Sequence, residues 1–311
     1  MTPATAHAEA AAGYARLRPG GAGAAVRGRA ALIWVEGPDA AGFLQGLLSN
    51  EVAGLAPGRA VRALLLDAKG HVQADLRVRR DADDAFTLVL ADDAGALVAG
   101  LLDRYHFSED LELIGPEEAE TVTLPAAAAA AAPIELAVPA ILPGAVEGVV
   151  DDAGAAIAAS GLPEAPPEAL EMARIAAGAA RVGVDTGPST LVQEAALEDD
   201  AVSFAKGCYL GQETVARINY RGRVNRRLRG LRLAGGPPAA GGRVLLDGRE
   251  VGRMTSAAAT PDLGPIGLAI LRREAEDDAT VAVEAGDGSG DPVPAHVSGL
   301  PFRAAWATRR H

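Results

Sequence analysis

The chain has 311 residues, enough for two or three packed domains with a sizeable apolar core. Its 41 acidic and 29 basic residues give a net charge of -12, so the surface as a whole repels polyanions and direct nucleic-acid binding is not expected. One cysteine excludes an internal disulfide, and the lack of a signal-peptide pattern or long apolar run predicts a cytoplasmic protein without a membrane span.

The first predicted elements form a strand followed by a helix. Residues 1–28 are small, polar or glycine-rich and are predicted to be a flexible N-terminal segment. Residues 31–35 are typical of a short buried strand. Asp39 is predicted to be the N-cap of a helix that buries Phe43 and Leu47 on one face.

A hairpin and a second helix follow. Apolar residues at 63–66 and alternating apolar residues at 72–78 flank the turn 67–70, which predicts two antiparallel strands. Residues 86–90 add a strand, and apolar residues spaced between 97 and 105 predict an amphipathic helix. The order of these elements predicts an α+β fold.

The remaining chain divides by composition. Residues 115–167 are rich in alanine and proline and are predicted to be inserted or linking material, with 134–138 as a candidate strand, within a domain that covers 29–226. A helix is predicted at 168–180. From 227 to 311, short β-type segments between glycines and turn residues predict a C-terminal β-barrel.

Lysine occurs only at Lys69 and Lys206, because arginine supplies every other cation. A compact ammonium differs from a planar guanidinium in geometry and in its ability to lose a proton. Both lysines stand in glycine-containing motifs, at 67–70 and 205–208. The placement indicates these two motifs as candidate functional segments.

The segment 204–217 contains the single cysteine, Cys208. Gly207 and Gly211 permit a tight backbone on both sides of it, and Gln212 is predicted to begin a helix whose amides face the sulfur. That helix terminus and Lys206 would favour a thiolate, and Cys208 would then act as a nucleophile, a redox group or a metal ligand. The alternative is a small, buried, apolar cysteine.

The other candidate chemistry near Cys208 is ionic. One cysteine and five scattered histidines cannot enclose a structural zinc ion or an iron-sulfur cluster within the chain, so no metal site is predicted. Glu213 and Arg217 are spaced for a surface pair on a helix. Seven arginines follow between 217 and 232, which indicates either an anionic ligand or solvated arginines paired with surface acids. They are Arg217, Arg221, Arg223, Arg226, Arg227, Arg229 and Arg232.

The stretch Lys206-Gly207-Cys208-Tyr209-Leu210-Gly211-Gln212-Glu213 resembles the signature of the YgfZ-type proteins, a branch of the folate-binding, aminomethyltransferase-like (GcvT-like) family. Matching motifs elsewhere extend the resemblance over nearly the whole chain. The resemblance implies a ring of ferredoxin-like folate-binding subdomains followed by a β-barrel. It also implies a tetrahydrofolate cofactor, support of iron-sulfur protein assembly or repair and thereby of tRNA modification, and iron-sulfur assembly or client proteins as partners.

The resemblance also implies the site residues. Cys208 is the functional group, with Lys206 tuning it, and the cofactor is bound by Gly207, Tyr209, Gly211, Gln212, Glu213, Arg217 and Arg223. Two positions depart from the glycine cleavage T-protein. Ala176 stands where that protein has a pterin-binding glutamate, and a pair of aspartates is reduced to Asp75. Two alternatives therefore remain: an aminomethyl or methyl transferase with Asp75 as the acid-base group, and a non-catalytic folate-binding module with a structural Cys208.

Overall fold

The computed structural model describes residues 2–236, 240–286 and 291–306. The helices of these residues are α1 (Pro3–Leu17), α2 (Ala40–Leu47), α3 (Gly95–Tyr105), α4 (Ala153–Ser160), α5 (Pro167–Ala177), α6 (Glu198–Ala201) and α7 (Gln212–Arg221). The strands of the first part are β1 (Ala25–Glu36), β2 (Ala60–Leu66), β3 (Val72–Ala82), β4 (Ala85–Ala91), β5 (Glu112–Pro125), β6 (Leu136–Pro139), β7 (Ala145–Val150) and β8 (Glu164–Ala165).

The first eight strands form one sheet in the order β2-β3-β4-β1-β5-β7-β6, and β8 adds to β1 in parallel. Its other pairs are antiparallel. One part of the core lies where α2 and α3 cover the sheet, with Phe43, Leu44 and Leu102 buried against Leu88. Another part lies between the sheet, α5 and the C-terminal strands. The sheet is therefore covered on both faces.

The C-terminal strands are β9 (Arg226–Leu233), β10 (Arg243–Leu246), β11 (Arg249–Thr260), β12 (Gly264–Arg272), β13 (Thr280–Val283) and β14 (Val293–Ser298). They close into a six-stranded barrel in the order β10-β11-β12-β9-β14-β13. Alternating apolar residues fill its interior, including Leu231, Met254 and Val297. The predicted α+β class and the C-terminal barrel are both confirmed.

The prediction of a flexible segment at 1–28 is wrong. Residues 3–17 form α1, and its Tyr14 is buried and donates a hydrogen bond to Asp262 at 2.9 Å. The helix packs on α5 closely enough that a Cβ on Gly13 would lie 2.7 Å from the Cβ of Ala169. The small residues that we interpreted as a sign of disorder instead allow two helices to approach each other.

The prediction of inserted material at 115–167 is also wrong. This segment contributes most of β5, all of β6 to β8, and α4. Strand β5 pairs with β1 along most of its length, from Val26 opposite Thr123 to Glu36 opposite Glu112. The alanine run that suggested a linker forms a short 3-10 turn, Ala126–Ala131, between two strands. The segment is thus an integral part of the sheet.

Asp39 occupies the N-cap position of α2, as predicted, but its side chain makes no capping bond. Its carboxylate accepts a hydrogen bond from the backbone N–H of Asp110 at 2.8 Å instead. Asp110 lies just before β5, so Asp39 connects the start of α2 to the loop that leads into that strand.

Candidate functional site

The two glycine-containing motifs lie against each other. The turn at 67–70 is closed by Asp67, whose carboxylate accepts hydrogen bonds from the backbone N–H groups of Lys69 and His71. Gly211, the residue before α7, has a φ of 81°, and a Cβ there would lie 2.5 Å from the carbonyl oxygen of Asp67. Only glycine permits both this conformation and this close approach. The turn therefore holds the N-terminus of α7.

Lys206 anchors the other side of the cysteine segment. Its buried Nζ donates to three backbone carbonyls at the end of α2, those of Gln45 at 2.7 Å, Leu48 at 2.6 Å and Asn50 at 3.0 Å. Burial lowers the pKa of Lys206 to about 8, partly opposed by Glu51. Since an ammonium has three N–H donors and all three are used, Lys206 donates no hydrogen bond to Cys208. That Lys206 tunes the thiol by its charge stays a prediction.

Cys208 lies between two anchored neighbours and is itself exposed as a free thiol. Tyr209 is buried, and its ring lies 5.1 Å from Nζ of Lys206. The backbone N–H of Leu210 donates to the carbonyl of Gly46 at 3.0 Å. The alternative of a buried, apolar cysteine is therefore wrong, and the fold presents the sulfur to solvent on a fixed backbone.

The remaining predicted residues of this segment are not brought together. Gly207 is exposed, with no atom within 4 Å of the position of a Cβ. Gln212 begins α7 as predicted, with Glu213 in its first turn. Glu213 and Arg217 are both exposed, and no ion pair joins them in the described structure.

A cavity of about 630 Å³, bordered by buried charges, lies elsewhere, between the sheet and α5. Its wall includes residues of β1, β3, β5, β7 and α5. Neither Cys208 nor any of the seven residues predicted to bind the cofactor lines it. The thiol and this cavity are therefore separate in the fold, and the seven residues predicted to bind the cofactor stay a prediction. The signature segment packs on α2 and the turn at 67–70, whereas the cavity is built by other strands.

Asp75, the predicted acid-base group, does line the cavity, and two arginines hold it. Arg62 donates to both carboxylate oxygens, at 2.9 and 2.8 Å, and Arg77 lies 3.7 Å away. Burial opposes ionisation of Asp75, but attraction to Arg62 and Arg77 outweighs it and lowers the pKa. Asp75 is therefore a permanently ionised, paired carboxylate, and a general acid or base needs a pKa near the working pH.

Arg174 forms a second buried ionic group at the cavity, which the residue pattern alone did not single out. Its guanidinium donates to Glu171 on the same helix, to Asp185 at 2.7 Å, and to the hydroxyl of Ser256 on β11 at 2.8 Å. Asp185 also accepts a hydrogen bond from Thr255. The network connects α5 to the barrel, so it fixes one wall of the cavity. An arginine on the buried side of a predicted helix was the signal for it.

Glu147 on β7 is another acid of the cavity wall. It is half-buried, and it forms no ion pair in the described structure. Burial raises its pKa, although Arg77 and a hydrogen bond from Thr121 oppose that effect. Ala176, in contrast, is fully buried in the core and does not line the cavity. Glu147 lies in the segment 115–167, whose composition predicted only inserted or linking material.

Arg223 lines a different cavity, of about 400 Å³, at the end of α7. Arg217 does not contribute to it. Among the residues that the structure describes, no group of three or more histidine, cysteine or acidic side chains is arranged to hold a metal ion. In the same residues, no helix is long and apolar enough to cross a membrane.

Two family models match this chain. The model of the T-protein N-terminal domain matches residues 29–127, and the model of the glycine cleavage T-protein C-terminal barrel domain matches residues 226–303. The first covers the strands from β1 to β5, and the second covers the barrel. Together they match more than half of the chain, which therefore belongs to the glycine cleavage T-protein family.

Within this family the chain is of the YgfZ type, as the signature predicted. It is 38% identical over 103 residues to the tRNA-modifying protein YgfZ of Sodalis glossinidius, which is 30% of this chain and 31% of that protein. It is 37% identical over 81 residues to a mitochondrial iron-sulfur cluster assembly factor of Mus musculus, 24% of this chain and 21% of that protein.

The structural match is longer than these sequence matches. Among the curated relatives, the aligned part spans between 21% and 66% of the relative's length. The crystal structure of the glycine cleavage system aminomethyltransferase T from Bartonella henselae matches with a TM-score of 0.79 and 22% identity. That match covers 94% of this chain and 89% of the other. The fold is therefore shared over nearly the full described structure.

Proposed function

We propose that this protein binds a reduced folate in the 630 Å³ cavity and supports iron-sulfur protein assembly or repair, and through it tRNA modification, by means of Cys208. The proposal is supported by membership of the T-protein family and by similarity to a tRNA-modifying protein and an iron-sulfur assembly factor. The observation that carries it is the combination of a charged, half-enclosed cavity with a separate, exposed thiol.

The cavity suits the two ends of a folate differently. A pterin ring presents adjacent N–H and NH₂ donors, and the unpaired carboxylate of Glu147 is an acceptor for such an edge. Folate ends in glutamate carboxylates, and the exposed arginines Arg27, Arg29 and Arg181 lie at the rim, where a folate carboxylate would compete with the surface glutamates that now pair with them. The structure therefore favours a pose in which Glu147 meets the ring and the rim meets the tail.

Calorimetric titration with tetrahydrofolate tests this pose. Because a hydrogen bond to a charged group contributes about 1.5 to 3 kcal/mol, Glu147→Gln should weaken binding at least about tenfold. Since burial raises the pKa of Glu147 and the pterin donors need the carboxylate, wild-type affinity should rise with pH while the variant's affinity stays flat. Glu168→Gln, at an exposed acid of the same cavity, is the matched control.

Two results would contradict the folate assignment. One is the absence of binding to the wild type. The other is equal affinity and equal pH dependence for the Glu147→Gln and Glu168→Gln variants.

The role of Cys208 is tested in cells that lack the endogenous gene. The wild-type gene should restore the activity of an iron-sulfur enzyme that modifies tRNA, and Cys208→Ala should not, although it should accumulate to the same level. Full restoration by Cys208→Ala would favour a non-catalytic folate-binding module. The transferase alternative is not favoured, because Asp75 is paired with Arg62 and its pKa is lowered.

A further inference from the structure

A second cavity, of about 400 Å³, lies between the end of α7, β9 and the residue after β12, and we name it the arginine pocket. Its wall contains five arginines and one acid: Arg223, Arg226, Arg227, Arg229, Arg273 and Glu198. Such a concentration of cations is unexpected in a protein of net charge -12. It shares no residue with the 630 Å³ cavity.

Three of these arginines already have carboxylate partners. Arg226 donates to both oxygens of Glu194, at 3.0 and 3.1 Å. Arg227 pairs with Glu198 at 3.0 Å, and Arg229 with Asp277 at 3.2 Å. These pairs fix the guanidinium groups around the pocket and leave little of their charge unbalanced.

Arg223 and Arg273 differ from the other three. Both are exposed, and neither forms an ion pair in the described structure. The backbone N–H of Arg273 donates to the carbonyl of Asn225 at 2.9 Å, which fixes the end of β12 beside the start of β9. Two free guanidinium groups, from two separate parts of the chain, therefore border one pocket whose other cations are paired.

We propose that the arginine pocket binds a phosphate ester. A carboxylate is planar and offers two oxygens, which one guanidinium fork can occupy. A phosphate group offers three or more oxygens in a tetrahedral arrangement, so it accepts from guanidinium groups on different sides. The pocket volume lies within the range of small-ligand sites. The same chemistry is present in a free nucleotide and in the backbone of an RNA strand, so both are sources of the ligand.

Titrations at low salt with four probes test the proposal. The probes are adenosine 5′-monophosphate, a short single-stranded RNA of mixed sequence, inorganic phosphate and tetraglutamate. We expect the nucleotide or the RNA to bind with an affinity that falls as salt is added. Whichever of these two probes binds more tightly identifies the ligand as a free nucleotide or as an RNA backbone. Tetraglutamate carries carboxylates only, and it should bind at least about tenfold more weakly than the better phosphate ester.

The variant that tests the site is Arg223→Gln combined with Arg273→Gln. Both side chains are exposed, so the fold should be retained, and binding of the phosphate ester should weaken by about tenfold or more. Arg249→Gln, an exposed barrel arginine without an ion pair, is the matched control and should bind as the wild type does.

Four results would overturn the proposal: no binding of either phosphate ester, binding of inorganic phosphate alone, equal binding of tetraglutamate, or equal affinity in the double variant and the control. Tetrahydrofolate affinity should be unchanged in the double variant, because the two cavities share no residue. Failure here therefore leaves the folate proposal standing, and the reverse also holds.

Discussion

The cysteine segment and the 630 Å³ cavity differ in how they treat their reactive and charged groups: the segment exposes a thiol, whereas the cavity wall buries ion pairs. The segment has to expose one reactive group on a rigid backbone, and it does so by burying the neighbours of Cys208. Lys206 and Tyr209 point into the protein, and Gly211 packs on the turn at 67–70. The cavity has to keep charges away from water, and it does so by pairing Asp75 with Arg62 and Arg174 with Asp185.

The two sites depend on different parts of the sequence. The cysteine segment is contiguous, and its anchors are local glycines and one lysine. The cavity takes its polar groups from strands and a helix that are up to about 150 residues apart in the chain. Substitutions in the two regions should therefore change the stability of the protein by different amounts and through different contacts.

The largest effect on stability is expected in the cavity wall, from Arg174→Leu. This change leaves Asp185 buried without its ion pair, and breaking a buried pair in this way costs about 3–5 kcal/mol. Urea denaturation measures the free energy of unfolding. Arg181→Gln, at an exposed partner of Glu171, is the control and should cost less than about 1 kcal/mol. Similar losses in both variants would mean that the buried network does not support the wall.

A smaller effect is expected in the cysteine segment, from Gly211→Ala. The positive φ disfavours any L side chain by about 1–2 kcal/mol, and the added Cβ would also collide with the carbonyl of Asp67. Gly207→Ala, on the other side of Cys208, is the matched control, because nothing lies near the position of its Cβ. Its change should stay within about 0.5 kcal/mol. Thermal denaturation compares the two, and equal shifts would argue against close packing at Gly211.

The effect at Lys206 is a change in the pH dependence of stability. Burial lowers its pKa to about 8, whereas an unfolded lysine titrates near about 10.4. Between these values the unfolded chain binds more protons, so the contribution of Lys206 to stability should rise with pH. The measurement is the difference in unfolding free energy between wild type and Lys206→Met, from about pH 7 to 10.5.

Lys69→Met is the control for this pH series, since Lys69 is the other lysine of the chain and is exposed. It should show no such slope. A Lys206 contribution that falls with rising pH would mean that the three carbonyls keep the ammonium charged.

The sequence predicted those features that depend on local pattern. The strand at 31–35, the hairpin around 67–70, the start of α7 at Gln212 and the barrel all follow from periodicity and turn residues. The N-terminal helix was missed because alanine and glycine indicate both disorder and close helix packing. Apart from the candidate strand at 134–138, the strands between 115 and 167 were missed because alanine-rich, proline-bounded composition hides their pairing in the sheet.

The candidate site was predictable only in part for a similar physical reason. The exposure of Cys208 agrees with the glycines that flank it. The target of Lys206 was not predictable, because its partners are backbone carbonyls about 160 residues earlier, and carbonyls carry no residue-type signal. Glu147 was not predictable either, because its place in the cavity wall depends on how β7 packs in the sheet, and only the packed structure shows that.

The most direct test of the central claim is calorimetry with tetrahydrofolate on Cys208→Ala. Since Cys208 does not line the 630 Å³ cavity, the variant should bind tetrahydrofolate with the affinity of the wild type. A loss of affinity of about tenfold or more would mean that the thiol contacts the folate, and the separation of the two sites would be wrong.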